Sequence, residues 1–421
     1  MKVKKIFFIV FLFISPWIFS TTLTISAPTE IYNQSFPKLF TNSGVSNFNI
    51  SGSVTYQVEI DFTLTITSGT GSYWFKFSRL NDRQPNSLLT QYCPPYQESE
   101  LLYSNIVGSD SPPYFMRDKF NNTYDLFNST LSLGQSVSLS QRYNVTLNAV
   151  SFKNVDYSDI GSYDVYDEIF DLYCNNSETY YERDNAALIS HSNSLVLPSD
   201  NPIEKAEKIC NWVSSNLTYD GTLPPQEIGA LEAYNTGKGD CSEFSSLMIT
   251  LLRIQDIPAR KVTGYCISAN PTTKPYEGQV WNFIASSSSG SNFLGHAWVE
   301  YYVPDIGWIA CDPTWHSGGF DYFNRIDYLR FNLNIGQWFS IPMLSDVSKF
   351  SNPCIVINNP SFDFVYQFKV TATESSLSPS DQFPMLIVIV VIAAIIIALV
   401  AIVLTITIKR KRKKEVTYYE Y

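Results

Sequence analysis

The chain has 421 residues, 45% hydrophobic and 15% aromatic, ample for packed cores, and its length suggests two or three domains. Net charge is −10; with +4 in the tail from residue 409 and +3 in the first five residues, −17 is left for the rest. A body this acidic argues against nucleic acid or anionic lipid as its ligand.

In chain order, Lys2, Lys4 and Lys5 precede the apolar run Ile6 to Phe19. The run is too short for a comfortable membrane span, and Ser20, Thr21 and Thr22 follow as small residues, so residues 1–22 are predicted to be a signal peptide. From about 45 to 150 the pattern has period two: Val54, Tyr56, Val58, Ile60, Phe62, Leu64 and Ile66 alternate with polar residues, and Tyr73, Phe75 and Phe77 resume after the turn Ser68-Gly69-Thr70-Gly71. This predicts an all-β, immunoglobulin-like sandwich, and the richness in Tyr, Phe, Val and Thr agrees. Residues 155–199 are acidic and Tyr-rich and are assigned as a connector.

At residue 200 the period becomes helical. Ile203, Ala206, Cys210, Val213 and Leu217 share one face, with Asp200 or Asn201 as cap and Pro202 at the first position. Cys210 on that face is expected to stay a buried thiol. Next comes Gly237-Lys238-Gly239-Asp240-Cys241, followed by Phe244, Leu247, Met248, Leu251 and Ile254 at helical spacing, ending at Ile257-Pro258. Cys241 therefore starts a helix, where the macrodipole favours the thiolate, the form that attacks a carbonyl. Paired with an imidazolium, such a thiolate is expected to alkylate well below the usual pKa of about 8.5, with Cys241 labelled fastest at pH 6. Gly295-His296-Ala297-Trp298-Val299-Glu300-Tyr301 then opens a strand after the Ser286–Ser291 loop, which reads as flexible. His296 could relay the thiol proton. Gly307-Trp308-Ile309-Ala310-Cys311-Asp312 follows a short turn, so the two strands should pair antiparallel and bring Asp312 beside His296. Each piece alone has a bland reading: a structural cysteine, a solvated turn histidine, a strand-end aspartate.

Together, helix-Cys, strand-His and strand-Asp resemble the transglutaminase-like superfamily, whose core is related to papain-like proteases. The resemblance runs from about Pro202 to Trp338 and includes Leu252 to Arg260, Val262-Thr263-Gly264-Tyr265 and Asp312-Pro313-Thr314. It implies an α+β transglutaminase-like (papain-like) core over 200–340 with Cys241, His296 and Asp312 as catalytic triad. It also implies a cysteine peptidase, amidase or acyltransferase working through a thioester. The sandwich and terminal anchor look like those of microbial membrane-bound members. No calcium loop of the D-x-[DN]-x-[DN]-G kind is present, the three histidines lack metal spacing, and no cofactor or metal is expected. Trp212 and Tyr219 are both open as an oxyanion-hole side chain, and His316 reads as a rim residue.

Residues 341–370 form a strand-rich extension, and 371–384, rich in Ser, Thr and Pro, read as a stalk. Met385 to Ile408 is an uncharged run of 24 residues, long enough for one transmembrane helix, and the six basic residues Lys409 to Lys414 set its cytoplasmic side. The body is therefore expected to be extracellular, on a single-pass cell-membrane anchor. Seven N-x-[ST] triplets, at Asn33, Asn49, Asn121, Asn128, Asn144, Asn175 and Asn216, all precede the span. Cys241 apart, six cysteines remain and could pair in fifteen ways. The partner expected is an extracellular peptide, protein or glycoprotein whose amide bond is hydrolysed or transferred. Hydrolysis is favoured because the Ser-rich loop is a poor seal against water. The rival reading is a non-catalytic surface binding or structural protein that keeps the fold.

Overall fold

The computed structural model describes residues 48–83, 93–118, 120–152, 155–175, 178–223, 227–336, 354–357 and 361–377. The signal peptide, the span at 385–408 and the basic tail lie outside the described residues, as does 378–384. Among the described residues no helix is long and apolar enough to cross a membrane.

The alternating stretch forms the 18-residue strand Asn49–Ile66, whose even-numbered residues from Val54 to Ile66 are all buried. It lies between Ser136–Ser151 and Phe362–Ser375, antiparallel to both. Val280–Ser286, Gly290–Ser291, Gln97–Val107 and Arg325–Ile326 complete a seven-stranded sheet. A second sheet runs Cys354–Ile357, Thr70–Ser78, Thr123–Ser132, Tyr114–Arg117. The two meet through aromatic rings: Phe62 lies 4.8 Å from Phe77 and 6.2 Å from Phe75, centroid to centroid. This pair of sheets is thus not made by residues 45–150 alone, because strands from much later in the chain enter both.

One such strand corrects the stalk. Residues 371–375 end the strand Phe362–Ser375, with Gln57 opposite Thr371 and Tyr56 opposite Ala372. The Ser/Thr richness belongs to the outward face of a strand whose inward face carries Val370 and Ala372, both buried.

A third, four-stranded antiparallel sheet orders Gly307–Cys311, Gly295–Val303, Ala259–Cys266, Arg330–Ile335. One face packs against helices. Pro202–Asn216 buries Ile203, Ala206, Cys210 and Val213 as its spacing predicts, and Ile209 beside them, and begins with an Asn201/Glu204 capping box. Cys241–Ile254 is the central helix, with Phe244, Leu247, Met248 and Leu251 fully buried. The segment assigned as a connector adds helices Glu168–Tyr173 and Ala186–Leu195, and its Tyr173, Tyr181 and Leu188 join the same core. The other face of the sheet sends Tyr265, Phe331 and Leu333 into the core of the two-sheet unit. There Phe331 lies 5.3 Å from Tyr56 and 5.5 Å from Phe368.

A buried charge cluster also joins the parts. Arg83 donates to both oxygens of Glu300 at 2.7 and 2.6 Å, and Arg260 donates to Glu300 Oε2 at 2.9 Å while stacking on Trp308. Burial disfavours the Glu300 carboxylate, but the two guanidiniums outweigh it and hold the carboxyl below its usual range.

Candidate active site

The approach to Cys241 is fixed rather than flexible. Gly237 ends the helix Ala230–Thr236 in the left-handed region at φ 65°, a position that suits glycine. Gly239 leaves room for the next helix turn: a Cβ there would lie 2.5 Å from Glu243 Cβ. That space allows a reciprocal cap in which Asp240 Oδ1 accepts from the Ser242 amide at 2.7 Å and Glu243 Oε2 accepts from the Asp240 amide at 3.1 Å. Cys241 is then the first helical residue.

His296 is the second residue of the strand Gly295–Val303, paired with Gly264. The hairpin register sets Val299 opposite Cys311, and the chain continues to Asp312. There His296 Nε2 donates to Asp312 Oδ2 at 2.6 Å, with Asp312 fully buried. The amide of Ala297, the residue after His296, donates to the Cys241 sulfur. The structure therefore brings all three sequence-predicted residues to one place. Nε2 is committed to Asp312, so Nδ1 is the ring nitrogen not held by that carboxylate. The imidazole lies between Trp298 and Trp315, with centroids at 6.2 and 5.6 Å.

Asp312 has further partners. Its Oδ1 caps the short helix Pro313–Ser317, accepting the Thr314 and Trp315 amides at 3.0 and 3.1 Å. Its Oδ2 also accepts from Arg330 Nη1. Burial works against the charge, yet His296 and Arg330 prevail and hold the carboxyl well below the usual range.

The thiol departs from expectation. Burial pushes Cys241 well above the ordinary thiol range, and the neighbouring Asp240 carboxyl adds to this, against the lowering effect of the Ala297 amide. Cys241 is 8% exposed, too dry for the helix dipole to dominate. Burial therefore opposes the thiolate that the helix start favours, which runs against the expected ready alkylation at pH 6.

Of the two aromatic candidates, Tyr219 sits in the field of Cys241: burial first, then Cys241, Asp240 and Glu243, push its phenol up. Trp212 instead packs against His191, with ring centroids 4.1 Å apart and the rings tilted by 58°. His316 Nε2 pairs with Asn211 at 3.0 Å and is turned away from the Asp312 carboxylate. The Ser286–Ser291 segment, read as a flexible loop, is a hairpin in the seven-stranded sheet, with the Ser289 amide donating to Ser286 Oγ at 3.1 Å. Cys93, Cys174, Cys210, Cys241, Cys266 and Cys311 are all free thiols, with Cys210 and Cys311 sulfurs 3.3 Å apart.

Residues 190–313 match the family model described as the transglutaminase-like superfamily. The uncharacterized protein YebA of Bacillus subtilis is 33% identical over 126 residues, covering 28% of this chain and 16% of that protein. A protein-glutamine gamma-glutamyltransferase of Pseudomonas aeruginosa is 34% identical over 98 residues, covering 22% of this chain and 13% of that protein. The chain thus spans less than a fifth of the length of either relative. Among solved structures, a proposed cysteine protease of Cytophaga hutchinsonii aligns at TM-score 0.47 and 15% identity, over 79% of this chain and 95% of that one. Residues 190–313 of this chain carry a transglutaminase-like superfamily domain, set in a body rich in β-structure.

Proposed function

We propose that the chain is a membrane-anchored extracellular thiol enzyme that opens an amide bond of a peptide, protein or glycoprotein through a cysteine thioester. The observation that carries this reading is the 2.6 Å His296–Asp312 hydrogen bond, built on the strand whose Ala297 amide touches the Cys241 sulfur. His296 Nδ1 takes the thiol proton as sulfur attacks the carbonyl carbon, and Asp312 stabilises the imidazolium. The Cys241 amide at the helix start donates to the oxyanion. His296 returns the proton to the leaving amine as the C–N bond breaks, leaving the acyl group on sulfur. Water, or a second amine, gives its proton to His296 and attacks the thioester, releasing acid or new amide and the thiol.

Hydrolysis is proposed as the main outcome, although the Ser-rich hairpin is tied down. The test incubates the full-length chain with a peptide library and a labelled primary amine. New N-termini that vanish in Cys241→Ala support hydrolysis; stoichiometric amine incorporation without them makes the protein a cross-linker. Neither product, with the chain folded, favours the rival reading of a non-catalytic surface protein, to which the burial of Cys241 lends support. The anchor and orientation rest on the apolar run 385–408 and its basic flank. External protease on intact cells should digest the body and spare a tag placed after Tyr421; loss of the tag overturns that topology.

A further inference from the structure

Among the described residues, Arg330 is the cation in contact with the Asp312 carboxylate, and the reaction above does not use it. It opens the strand Arg330–Ile335 beside Cys266 of the neighbouring strand, and its side chain is fully buried. Nη1 donates to the same Asp312 oxygen that receives His296 Nε2. Nε and Nη2 donate to Asp327 Oδ2 at 3.3 and 3.2 Å, and Asp327 in turn accepts from the Tyr322 hydroxyl at 2.5 Å. The guanidinium lies 3.9 Å from the Trp315 ring centroid and 4.7 Å from that of Tyr322. Trp315 is also a wall of the His296 pocket.

We propose that Arg330 is a positioning residue of the Cys241–His296–Asp312 group: by sharing the Asp312 oxygen that receives His296, it divides that carboxylate's field and sets how strongly Asp312 draws a proton onto the imidazole. The inference rests on the reading of these three residues as the catalytic group. A lone buried aspartate beside a histidine would draw a proton onto the ring and hold it there. A base already protonated cannot accept the thiol proton. A cation on the same oxygen weakens that pull, and a guanidinium can do so while its remaining donors are fixed by a second carboxylate. Other titratable groups face Asp312 and the thiol from the elements packed there: Tyr219 from the chain before the cysteine helix, Cys241, Asp240 and Glu243 from that helix and its cap, Cys266 and Cys311 from the sheet, Tyr322 and Asp327 from the chain after the Asp312 helix. None of these is cationic, so the compensating positive charge at Asp312 is Arg330.

The test is the titration of His296 in the full-length chain, its histidines isotope-labelled and Cys241 replaced by Ala so that the thiol does not titrate with it. The chain has three histidines, and His191 and His316 serve as internal references. Arg330→Gln should move the His296 midpoint up by about one pH unit. Arg330→Lys, which keeps the charge, should leave it within a few tenths of a unit of the parent. Asp327→Asn removes a nearby negative charge and leaves Arg330 to Asp312 alone, so it should move the midpoint down. If Arg330→Gln does not fold, the opposite sign expected for Asp327→Asn still decides. An unmoved His296 in the folded variants, or a shift of all three histidines together, overturns the proposal. These titrations do not require turnover. A chain that is inactive with Cys241 intact, while His296 responds as described, would sink the catalytic reading and leave the electrostatic role of Arg330 standing. In an active parent, the acid limb of the kcat/KM profile should move up with the His296 midpoint in Arg330→Gln and recover in Arg330→Lys.

Discussion

Asp312 joins three tasks in one side chain: it orients His296, receives Arg330 and caps a helix. An amide in its place can still cap, because asparagine is as good an N-cap as aspartate, but it offers no charge to the imidazolium. Asp312→Asn should therefore lower kcat/KM by about 10³- to 10⁴-fold while the fold is kept; a loss of tenfold or less would remove Asp312 from the mechanism. Its depressed carboxyl also gives a sign to acid stability. A carboxylate whose folded pKa lies below its unfolded value of about 3.9 stabilises fully above that value and loses its contribution as pH falls through the folded pKa. Between pH 5 and pH 2.5 the parent should lose more denaturant resistance than Asp312→Asn, and equal losses would contradict the ion pairing. Cys241, His296 and Asp312 were legible because each stands at the start or end of a predicted element, where pairing rules give its neighbours. Arg330 was not. Arg330, Asn332 and Asn334 alternate with Phe331, Leu333 and Ile335, a pattern that reads as a half-solvated strand. In the fold all six are buried, since the polar side chains face other chain segments rather than water.

At the scale of the element, the start of the cysteine helix shows two local effects opposing each other. The helix dipole favours a thiolate at its first residue, but the cap that secures the helix is an aspartate. Burial first, then the Glu243 carboxyl, raise the Asp240 carboxyl above the usual range. A carboxyl raised in this way contributes stability below its unfolded pKa of about 3.9 and loses it as pH rises through the folded value. Asp240→Asn retains a capping oxygen and removes the charge. It should thus be more stable than the parent at pH 8 and gain nothing at pH 3.5, as read from urea midpoints. With the nearest carboxylate gone, Cys241 should also alkylate with iodoacetamide about three- to tenfold faster at pH 8. An unchanged rate would show that burial alone sets the thiol. The helix itself was readable from its spacing and from Ile257-Pro258. Its thiol chemistry was not, because desolvation depends on which strands cover the residue. The same limit explains 371–375: a Ser/Thr-rich run is a stalk or an outward strand face depending on whether a partner strand lies beside it.

For the whole molecule, the division into a sandwich and a catalytic unit describes composition better than mechanics. The strand Val280–Ser286 leaves the helix-packed sheet to pair with Phe362–Ser375, which in turn pairs with Asn49–Ile66. Phe331 of the catalytic sheet sits among Tyr56 and Phe368 of the other. Period-two patterns reveal strands but not partners hundreds of residues away, so this interleaving could not be read from the sequence. Two units that share core residues should not melt apart. The Arg83–Glu300–Arg260 cluster gives a way to ask, since Arg83 comes from the segment that follows the strand Thr70–Ser78 and Glu300 from the His296 strand. Arg83→Met removes one partner of a buried pair and leaves Glu300 with Arg260 alone, a change that costs about 3–5 kcal/mol in such settings. If the body is one cooperative unit, the whole unfolding curve moves to lower denaturant, and tryptophan fluorescence and far-ultraviolet circular dichroism shift by the same amount. If the units are independent, Trp298, Trp308 and Trp315 report an earlier transition while the strand signal of the two-sheet unit holds its midpoint. Separate transitions would show that the shared aromatic core transmits less than its packing implies.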